Sequence, residues 1–300
     1  METIILAGGY AKRLWPITLE RPKPLLPVAG APILDYIVRQ LPEGPPPLLS
    51  INRRFSHQFD SWARAQGRPL TLAVEETRSE EEKLGAVGAL SRLISEHDLD
   101  DDLLVIGGDN LFSFDLQDFL TAFQGRPLIA VYDLGDPEVA RHRYGVALVD
   151  GRRIVGFQEK PDRPASALAA TACYLFPRRV LPLIPVFITE TDRGQDAPGY
   201  FLEWLRAREP MEAYRFSEGW FDIGGREAYI DANMQFTGGS SWIHPEANVG
   251  QAGLHRCVVL GSAEIRNARL TGCVVDEEVE LEGVELRNVL VGRGTRIRPG

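Results

Sequence analysis

Residues 4–28 read IILAGGYAKRLWPITLERPKPLLPV, and the rest of the chain is best interpreted from this stretch. Its apolar beginning predicts a short buried strand. The strand ends at Gly8 and Gly9, where the backbone can turn sharply and approach a ligand closely. Two cations, Lys12 and Arg13, follow at once. A buried strand that ends in glycines and is followed by fixed cations is typical of a site for a phosphorylated ligand.

The composition is that of an ordinary globular protein. Of the 300 residues, 44% are hydrophobic and 25% are charged, which is enough apolar material for a sizeable core. The formal net charge of -9 argues against a general nucleic-acid or membrane-surface binder. No apolar run approaches the ~20 residues of a membrane span, and no signal-peptide pattern is evident. Three cysteines, an odd and sparse set, predict a cytoplasmic protein without disulfides.

Residues 2–133 alternate between strand-like and helix-like segments. In the helix-like segments the apolar residues recur at helical spacing, as they do from Leu34 to Leu41. This rhythm predicts a Rossmann-like α/β fold, in which a mixed, mostly parallel sheet has helices on both faces. Ligands of such sheets bind beyond the carboxyl ends of the strands. Both the glycine loop and Asp109 follow strands that are predicted in this way.

The rhythm changes from about residue 144. Asp150 and Gly151 separate two apolar segments and predict a β-hairpin. Residues 186–198 are predicted to form a loop, and residues 226–236 a helix. A glycine- and serine-rich linker follows. We therefore predict two domains, over residues 1–238 and 239–300.

Residues 243–297 carry a repeat. Apolar residues recur in steps of six, five and five, so one cycle takes 16 residues. One inward aliphatic residue on each short side predicts a short, three-sided, left-handed β-helix rather than a fragment of a β-sandwich. Cys257 and Cys273 lie one cycle apart, and an interior stack of small side chains is favoured over a metal or disulfide role. The residues predicted to stack are Ile243, Val259, Val275 and Val291.

A glycine pair alone is often no more than a tight turn. The motifs LAGG, RL and PKPLLPV together, however, resemble the signature of sugar-1-phosphate nucleotidylyltransferases. The resemblance covers residues 1–236, with later motifs in family order. It is strongest to glucose-1-phosphate thymidylyltransferase-like members that carry an appended β-helix. Two positions depart from the pattern, because Ala11 stands where the family usually has a third glycine and Lys12 where it usually has threonine.

The resemblance implies roles for the residues of the glycine loop. The loop backbone and Arg13 would hold the phosphates of a nucleotide, and Lys23 would neutralise charge at the reacting phosphorus. The segment LGAVGA at residues 84–89 resembles the family's LGTAGA, which lines the nucleobase pocket. A helix that begins with small residues for close packing is the alternative for this segment. The residues expected to bind the nucleotide are Leu6, Ala7, Gly8, Gly9, Ala11, Lys12, Glu75, Gly85 and Gly88.

Two aspartates match the metal ligands of the family. Asp109 in GGDN and Asp222 in WFDIG could together hold one Mg²⁺, although either alone could be a turn or cap residue.

The motifs YGV and FQEKP match the segments that contact the sugar phosphate, for which a surface Glu-Lys pair is the alternative. The residues expected to bind the sugar phosphate are Gly145, Glu159, Lys160 and Thr171. Lys160 is also expected to join Arg13 and Lys23 in catalysis. Ala170 stands where many members have an asparagine that would read a sugar hydroxyl, and this leaves the sugar open.

The resemblance implies an enzyme that transfers a nucleotidyl group from an NTP to a hexose 1-phosphate and releases pyrophosphate. We favour dTTP or UTP with glucose 1-phosphate, and GTP with mannose 1-phosphate is the alternative. A non-catalytic regulatory subunit that senses nucleotide-sugar is the rival from another class, but such proteins tend to lose the cations and carboxylates that this chain retains. An acyltransferase role for the repeat, with His244 or His255 as base, is disfavoured because the coil is short. The repeat is expected to mediate a homo-oligomer.

Overall fold

The computed structural model describes residues 1–77, 84–191 and 196–299. The chain divides into two compact units. The first unit comprises Met1–Gly8 and Gln40–Trp220, and the second comprises Gly9–Arg39 and Phe221–Gly300. One boundary between the units therefore falls inside the glycine loop, between Gly8 and Gly9. The division at residue 238 follows the sequence repeat and stays a prediction.

The first unit is built on a nine-stranded sheet. Its strands are β1 (Glu2–Leu6), β2 (Leu48–Asn52), β3 (Thr71–Glu75), β4 (Leu103–Gly107), β5 (Leu128–Asp133), β6 (Val146–Asp150), β7 (Arg153–Gln158), β8 (Leu168–Phe176) and β9 (Glu212–Phe216). They lie in the order β3-β2-β1-β4-β8-β5-β9-β7-β6. Among these described strands, β7 and β8 run opposite to the rest, which confirms a mixed, mostly parallel sheet. The predicted hairpin is the antiparallel pair β6 and β7.

Seven α-helices lie in the described part of the chain. They are α1 (Ile33–Gln40), α2 (Ser56–Arg64), α3 (Gly85–Glu96), α4 (Leu116–Thr121), α5 (Leu183–Glu190), α6 (Pro198–Arg206) and α7 (Arg226–Phe236). Helix α7 and almost all of α1 belong to the second unit, and the others to the first. Across the described ranges, none of the helices has the length and apolar character that a membrane crossing requires.

The prediction of a loop over residues 186–198 is wrong for its first residues, because α5 continues to Glu190. Ile184 and Phe187 of this helix are fully buried in the core of the first unit, together with residues of α3 and α6. The packing of this apolar face outweighs the weak helix preference of its β-branched residues. Two further stretches lie outside the described residues: residues 78–83, where the sequence is acidic, and the stretch with Asp192, a carboxylate to which the sequence assigns no role.

Three parallel ladders run through the repeat in the second unit. The first joins Trp242–Ile243, Val258–Val259, Val274–Val275 and Leu290–Val291; the second joins Asn248–Gly250, Glu264–Arg266, Glu280–Glu282 and Arg296–Ile297; the third joins Gly253–His255, Arg269–Thr271 and Glu285–Arg287. Every paired residue lies 16 positions from its partner, and Ile243, Val259, Val275 and Val291 pair in succession. The predicted 16-residue register is therefore confirmed.

The corners of the repeat recur with the same period. Gln251, Asn267 and Gly283 have positive φ angles of 50°, 51° and 63°. The N–H of Asn267 donates to the carbonyl of Gly250, and that of Gly283 to the carbonyl of Arg266. Asparagine and glycine tolerate this left-handed conformation, which explains why they occupy such corners. Inside the repeat, Cys257 and Cys273 are free and buried among aliphatic side chains, as predicted.

Helix α7 anchors the segment that follows the glycine loop. Tyr229 donates its hydroxyl to the carbonyl of Pro27. Asn233 accepts the N–H of Ala29 at its Oδ1, at 2.9 Å. Both side chains are buried, so the segment around Lys23 is attached to a rigid element of the same unit.

Candidate functional site

In the first unit, the carboxyl ends of β1, β2 and β3 meet at Gly8. Asn52, which ends β2, donates its Nδ2 to the carbonyl of Gly8 at 3.0 Å. Glu75, which ends β3, is buried, and its Oε1 accepts a hydrogen bond from Ser50 Oγ at 2.6 Å. A Cβ at Gly8 would lie 3.6 Å from this Oε1. The predicted phosphate loop therefore passes beside the carboxylate of Glu75, which is also expected to bind the nucleotide.

The turn after β4 carries Asp109. The N–H of Gly108 donates to the carbonyl of Leu6 at 2.8 Å, and a Cβ at Gly108 would lie only 3.0 Å from that oxygen. Asn110 donates its Nδ2 to Asp109 Oδ1 at 2.7 Å. Its own Oδ1 accepts from Trp220 Nε1, also at 2.7 Å. A glycine thus brings the turn close to β1, and a chain of two hydrogen bonds orients the Asp109 carboxylate.

Glu159 occupies a narrow space between two glycines. Its side chain is 7% exposed, against 52% for the neighbouring Lys160, whose Nζ lies 3.8 Å from Glu159 Oε1. A Cβ at Gly145 would lie 2.7 Å from Glu159 Oε2, and one at Gly199 would overlap this oxygen. Burial raises the pKa of Glu159 above its ordinary value, and the ammonium of Lys160 opposes the shift. The fold therefore holds a desolvated carboxylate in one position.

Three further predicted residues lie within regular elements of the first unit. Thr171 is fully buried in β8 and donates its hydroxyl to the carbonyl of Ala130 at 2.9 Å. Gly85 begins α3 with a φ of +74°, a conformation that favours glycine. Gly88 is buried in the same helix. Each has a structural reason for its residue type, and its contact with a ligand stays a prediction.

In the second unit, Arg13 lies against the loop that follows Asp222. A Cβ at Gly224 would lie 3.2 Å from Arg13 Nη2. The N–H of Gly224 donates to the carbonyl of Asp222 at 2.7 Å, which folds this loop tightly. The predicted phosphate-binding arginine therefore lies against the turn that begins at one predicted metal ligand.

The remaining loop residues also belong to the second unit. Ala11 has a φ of +50°, which gives a physical reason for the glycine that the family usually has there. Thr18 is buried and donates its hydroxyl to the carbonyl of Ala11 at 2.9 Å. Gly9 and Lys12 are exposed, and Lys23 begins the 3₁₀ turn Lys23–Leu25.

The predicted site residues are thus divided between the two units. The first unit contains Leu6, Ala7, Gly8, Glu75, Gly85, Gly88, Asp109, Gly145, Glu159, Lys160 and Thr171; the second contains Gly9, Ala11, Lys12, Arg13, Lys23 and Asp222. The convergence of Asp109 and Asp222 on one metal ion stays a prediction. Three residues with a role in positioning were not recognised in the sequence: Asn110, Trp220 and Gly199. The first two occur within quoted motifs, but nothing local marks Gly199.

The donor set is compatible with Mg²⁺. Within residues 1–77, 84–191 and 196–299, no group of three or more histidine, cysteine, aspartate and glutamate side chains could hold a metal ion. Mg²⁺ commonly takes one or two protein carboxylates and completes its octahedron with water and substrate phosphates. Asp109, with its carboxylate oriented by Asn110, and Asp222 are the residues that could each offer a carboxylate to such an ion.

Comparison with known proteins identifies the family. The sequence model of the Nucleotidyl transferase family matches residues 2–238. The chain belongs to this family. A protein of Sulfolobus acidocaldarius, provisionally named a mannose-1-phosphate guanyltransferase, is 30% identical over 78% of the chain and 63% of its own length. The mannose-1-phosphate guanylyltransferase of Mycobacterium tuberculosis is 26% identical over the whole chain and 82% of its own length.

Comparison with solved structures also finds a relative of this nucleotidyl transferase family member. A Bacillus anthracis protein, provisionally named a glucose-1-phosphate thymidylyltransferase and crystallised with a sucrose, is 28% identical with a TM-score of 0.67. The match covers 78% of this chain and 94% of the other. The resemblance to sugar-1-phosphate nucleotidylyltransferases is confirmed by these relatives. The chain spans about half to two thirds of the length of the first curated relatives it matches.

Proposed function

We propose that the protein transfers a nucleotidyl group from an NTP to a sugar 1-phosphate and releases pyrophosphate. The observation that carries this proposal is the edge of the sheet around Gly8 in the first unit. There the loop backbone passes the buried Glu75, and the Asp109 turn packs on β1. The carboxyl edge of a parallel sheet is where such folds bind their ligands. Membership of the nucleotidyl transferase family supports the same reaction.

The chemistry requires charge screening more than a protein nucleophile. A phosphate oxygen of the sugar 1-phosphate attacks the α-phosphorus, and the bond from this phosphorus to the β-bridging oxygen breaks, so pyrophosphate leaves. Because two anions must approach each other, cations and alignment lower the barrier. In this scheme Arg13 and Lys23 neutralise the triphosphate, and Lys160 neutralises the sugar phosphate.

Asp109 and Asp222 would hold Mg²⁺, which when bound lowers the negative charge on the phosphates. The contribution of the chain is orientation. Asn110 and Trp220 fix the direction in which the Asp109 carboxylate points. Hydrogen-bonded partners of this kind keep a ligand carboxylate ready for a metal ion.

For the substrates we favour dTTP or UTP with glucose 1-phosphate, and the Bacillus anthracis structure supports this choice. GTP with mannose 1-phosphate is the second candidate. Two relatives with guanylyl-transfer names support it, and one of them matches the whole chain. Ala170 replaces the asparagine that would read a sugar hydroxyl, so this position favours neither glucose nor mannose.

We further propose that residues 239–300 form a three-sided, left-handed β-helix that mediates a homo-oligomer in the cytoplasm. Three parallel ladders with a constant 16-residue register support the coil. The buried, free cysteines agree with a reducing compartment. Neither nucleic acid nor a membrane is a proposed partner.

Pyrophosphate release across the common NTPs and a panel of sugar 1-phosphates tests the function. We expect Mg²⁺-dependent release with one preferred pair. NTP binding without release from any pair would favour the regulatory subunit instead.

Isosteric variants test the metal assignment. Asp109→Asn and Asp222→Asn should each remove most of the turnover while the thermal unfolding midpoint stays near that of the wild type. Asp60→Asn, on the surface of α2, is the matched control and should keep full activity. Near-normal Mg²⁺-dependent turnover in either test variant would contradict the assignment.

A further inference from the structure

Within the second unit, Arg21 connects the opening loop to the repeat. Its Nη2 pairs with Glu277 Oε1, and its Nη1 lies 3.6 Å from Asp276 Oδ1. The side chains of Arg21 and Asp276 are 22% and 7% exposed, so this second pair is largely shielded from water. Burial raises the pKa of Asp276, and Arg21 opposes the shift. Removal of the arginine would therefore leave a buried carboxylate without its main counter-charge.

Two glycines of the repeat make room for this contact. A Cβ at Gly292 would lie 2.7 Å from Cγ of Pro16, so a larger residue would push the loop away. A Cβ at Gly261, one cycle before Glu277, would overlap Cγ of Glu277. The 16-residue register requires neither glycine, since both follow the paired strands of the first ladder. Their residue type is explained by the loop and by the side chain that reaches it.

Arg293 extends the contact on the same side. Its Nη1 lies 3.8 Å from Glu20 Oε2, and its Nη2 lies 3.7 Å from Glu277 Oε2 and 2.5 Å from Glu278 Oε1. Such partly exposed pairs contribute little singly, but a network that shares charges is harder to break than one pair. The loop is thus held by a buried pair and by a network at its rim.

These contacts matter because of where their residues lie in the sequence. Residues 16–21 lie between Arg13 and Lys23, the two cations assigned to the triphosphate. Thr18 fixes the near side of this segment to the carbonyl of Ala11. Arg21 fixes its far side, two residues before Lys23. A change in this segment would therefore alter the spacing of both cations.

We propose that Arg21, Asp276 and Glu277 form a clamp through which the repeat positions Arg13 and Lys23. Arg21 is a positioning residue in this proposal and does not contact substrate. The repeat then belongs to the machinery that aligns the nucleotide, in addition to any role in assembly. The inference deepens the proposed function and rests on it for the roles of the two cations.

Charge reversal tests the clamp in the full chain. Glu277→Arg and Arg21→Glu should each lower kcat/KM for the NTP by about tenfold to a hundredfold, since small displacements of aligned groups cost this much. Both substitutions break the same contact, so their losses should not add: the double variant should lose little more than the worse single variant, whereas fully additive losses would contradict the clamp. Glu285→Arg, which breaks an exposed pair with Arg287 elsewhere in the repeat, is the matched control. It should leave kcat/KM unchanged.

Amide hydrogen exchange gives a readout that does not depend on activity. Peptides covering residues 14–26 should exchange faster in Glu277→Arg than in the wild type or in Glu285→Arg. If the isosteric variant Glu277→Gln leaves both the exchange of these peptides and kcat/KM at wild-type values, the clamp is wrong. Should the wild type lack activity with every substrate pair, the proposed function fails, and the exchange data alone then decide whether the clamp exists.

Discussion

The two units place charged groups in contrasting ways. In the first unit, Glu75 and Glu159 have buried carboxylates, held by a serine hydroxyl or between two glycines. In the second unit, Arg13 and Lys12 are exposed on a loop that is attached to a helix and to the repeat by side-chain contacts. One unit fixes its charges by desolvation and close packing, and the other fixes the backbone that carries them.

This contrast predicts different sensitivities. A buried carboxylate tolerates almost no change of shape in its surroundings, because its lost hydration must be replaced by fixed contacts. A cation on an anchored loop keeps much of its hydration, and the exposed pairs of Arg293 at the rim of its anchor weaken as salt screens them. The following variants test this difference, from the largest expected effect to the smallest.

The largest effect should come from Gly199→Ala. The new Cβ would overlap Glu159 Oε2, so the carboxylate or the start of α6 must move. Overpacking of this kind costs about 1–3 kcal/mol of stability. We expect kcat/KM for the sugar phosphate to fall about a hundredfold, measured by pyrophosphate release.

Gly67→Ala is the control for this substitution, because nothing lies within 4 Å of its Cβ and its φ is not positive. It should change neither activity nor stability by much. Full activity in Gly199→Ala would show that the position of Glu159 does not matter for the reaction.

A smaller effect is expected from Trp220→Phe. The variant keeps an aromatic ring but loses the Nε1–H that holds Asn110, so Asp109 loses part of its orientation. Loss of such a supporting hydrogen bond typically weakens metal binding about tenfold. The Mg²⁺ concentration for half-maximal activity should rise by this factor, and calorimetric titration with Mg²⁺ should show the same weakening. Trp204→Phe, which loses a bond to Glu190 on the surface, should show neither change.

Glu159→Gln should separate stability from function. The folded-state pKa of Glu159 is raised above its ordinary value of 4.5, so the fold favours the protonated acid. The free energy of unfolding of the wild type should therefore fall as pH rises from about 4.5 through the raised pKa, and the glutamine variant should lack this loss.

At pH 7 the Glu159→Gln variant should be more stable than the wild type, and less active with sugar phosphate. Urea unfolding between pH 4 and 8 measures the first effect, with the exposed Glu138→Gln as control. Equal pH dependence in wild type and Glu159→Gln would mean that the carboxylate is not desolvated.

The smallest effect should come from Ala11→Gly on the loop of the second unit. Alanine at a φ of +50° carries a strain of about 1 kcal/mol, which glycine relieves. Glycine also loses more entropy on folding, so the net gain should stay below ~1 kcal/mol. Thermal unfolding should show a slight rise in the midpoint, whereas Ala63→Gly within α2 should lower it. A lower midpoint for Ala11→Gly would contradict the strain.

Features with a period could be predicted from the sequence. The alternating segments led to the sheet, and the 16-residue spacing led to the register that joins Ile243 to Val259 and Val275. The periods work because each follows from the geometry of one repeating element. The second half of α5 was missed, since its β-branched residues favour a helix only once Ile184 and Phe187 are packed.

Contacts between distant residues could not be predicted in this way. Gly199 lies 40 positions from Glu159 and carries no motif, so only the folded packing shows that they compete for the same space. The bond from Trp220 to Asn110 spans 110 positions. The motifs indicated which residues are expected to contact ligands. They did not indicate which residues hold those side chains in position.

The second unit is assembled from the two ends of the described chain. Arg21 and Glu277 are separated by 256 positions, and almost the whole first unit lies between them. During synthesis, Arg21 leaves the ribosome before Asp276 and Glu277, and it can pair with them only after the repeat has emerged. Domains generally fold in the order in which they are made, so the sheet can close before the loop is anchored. A nascent chain would therefore complete its sheet before the loop that carries Arg13 and Lys23 is attached to the repeat.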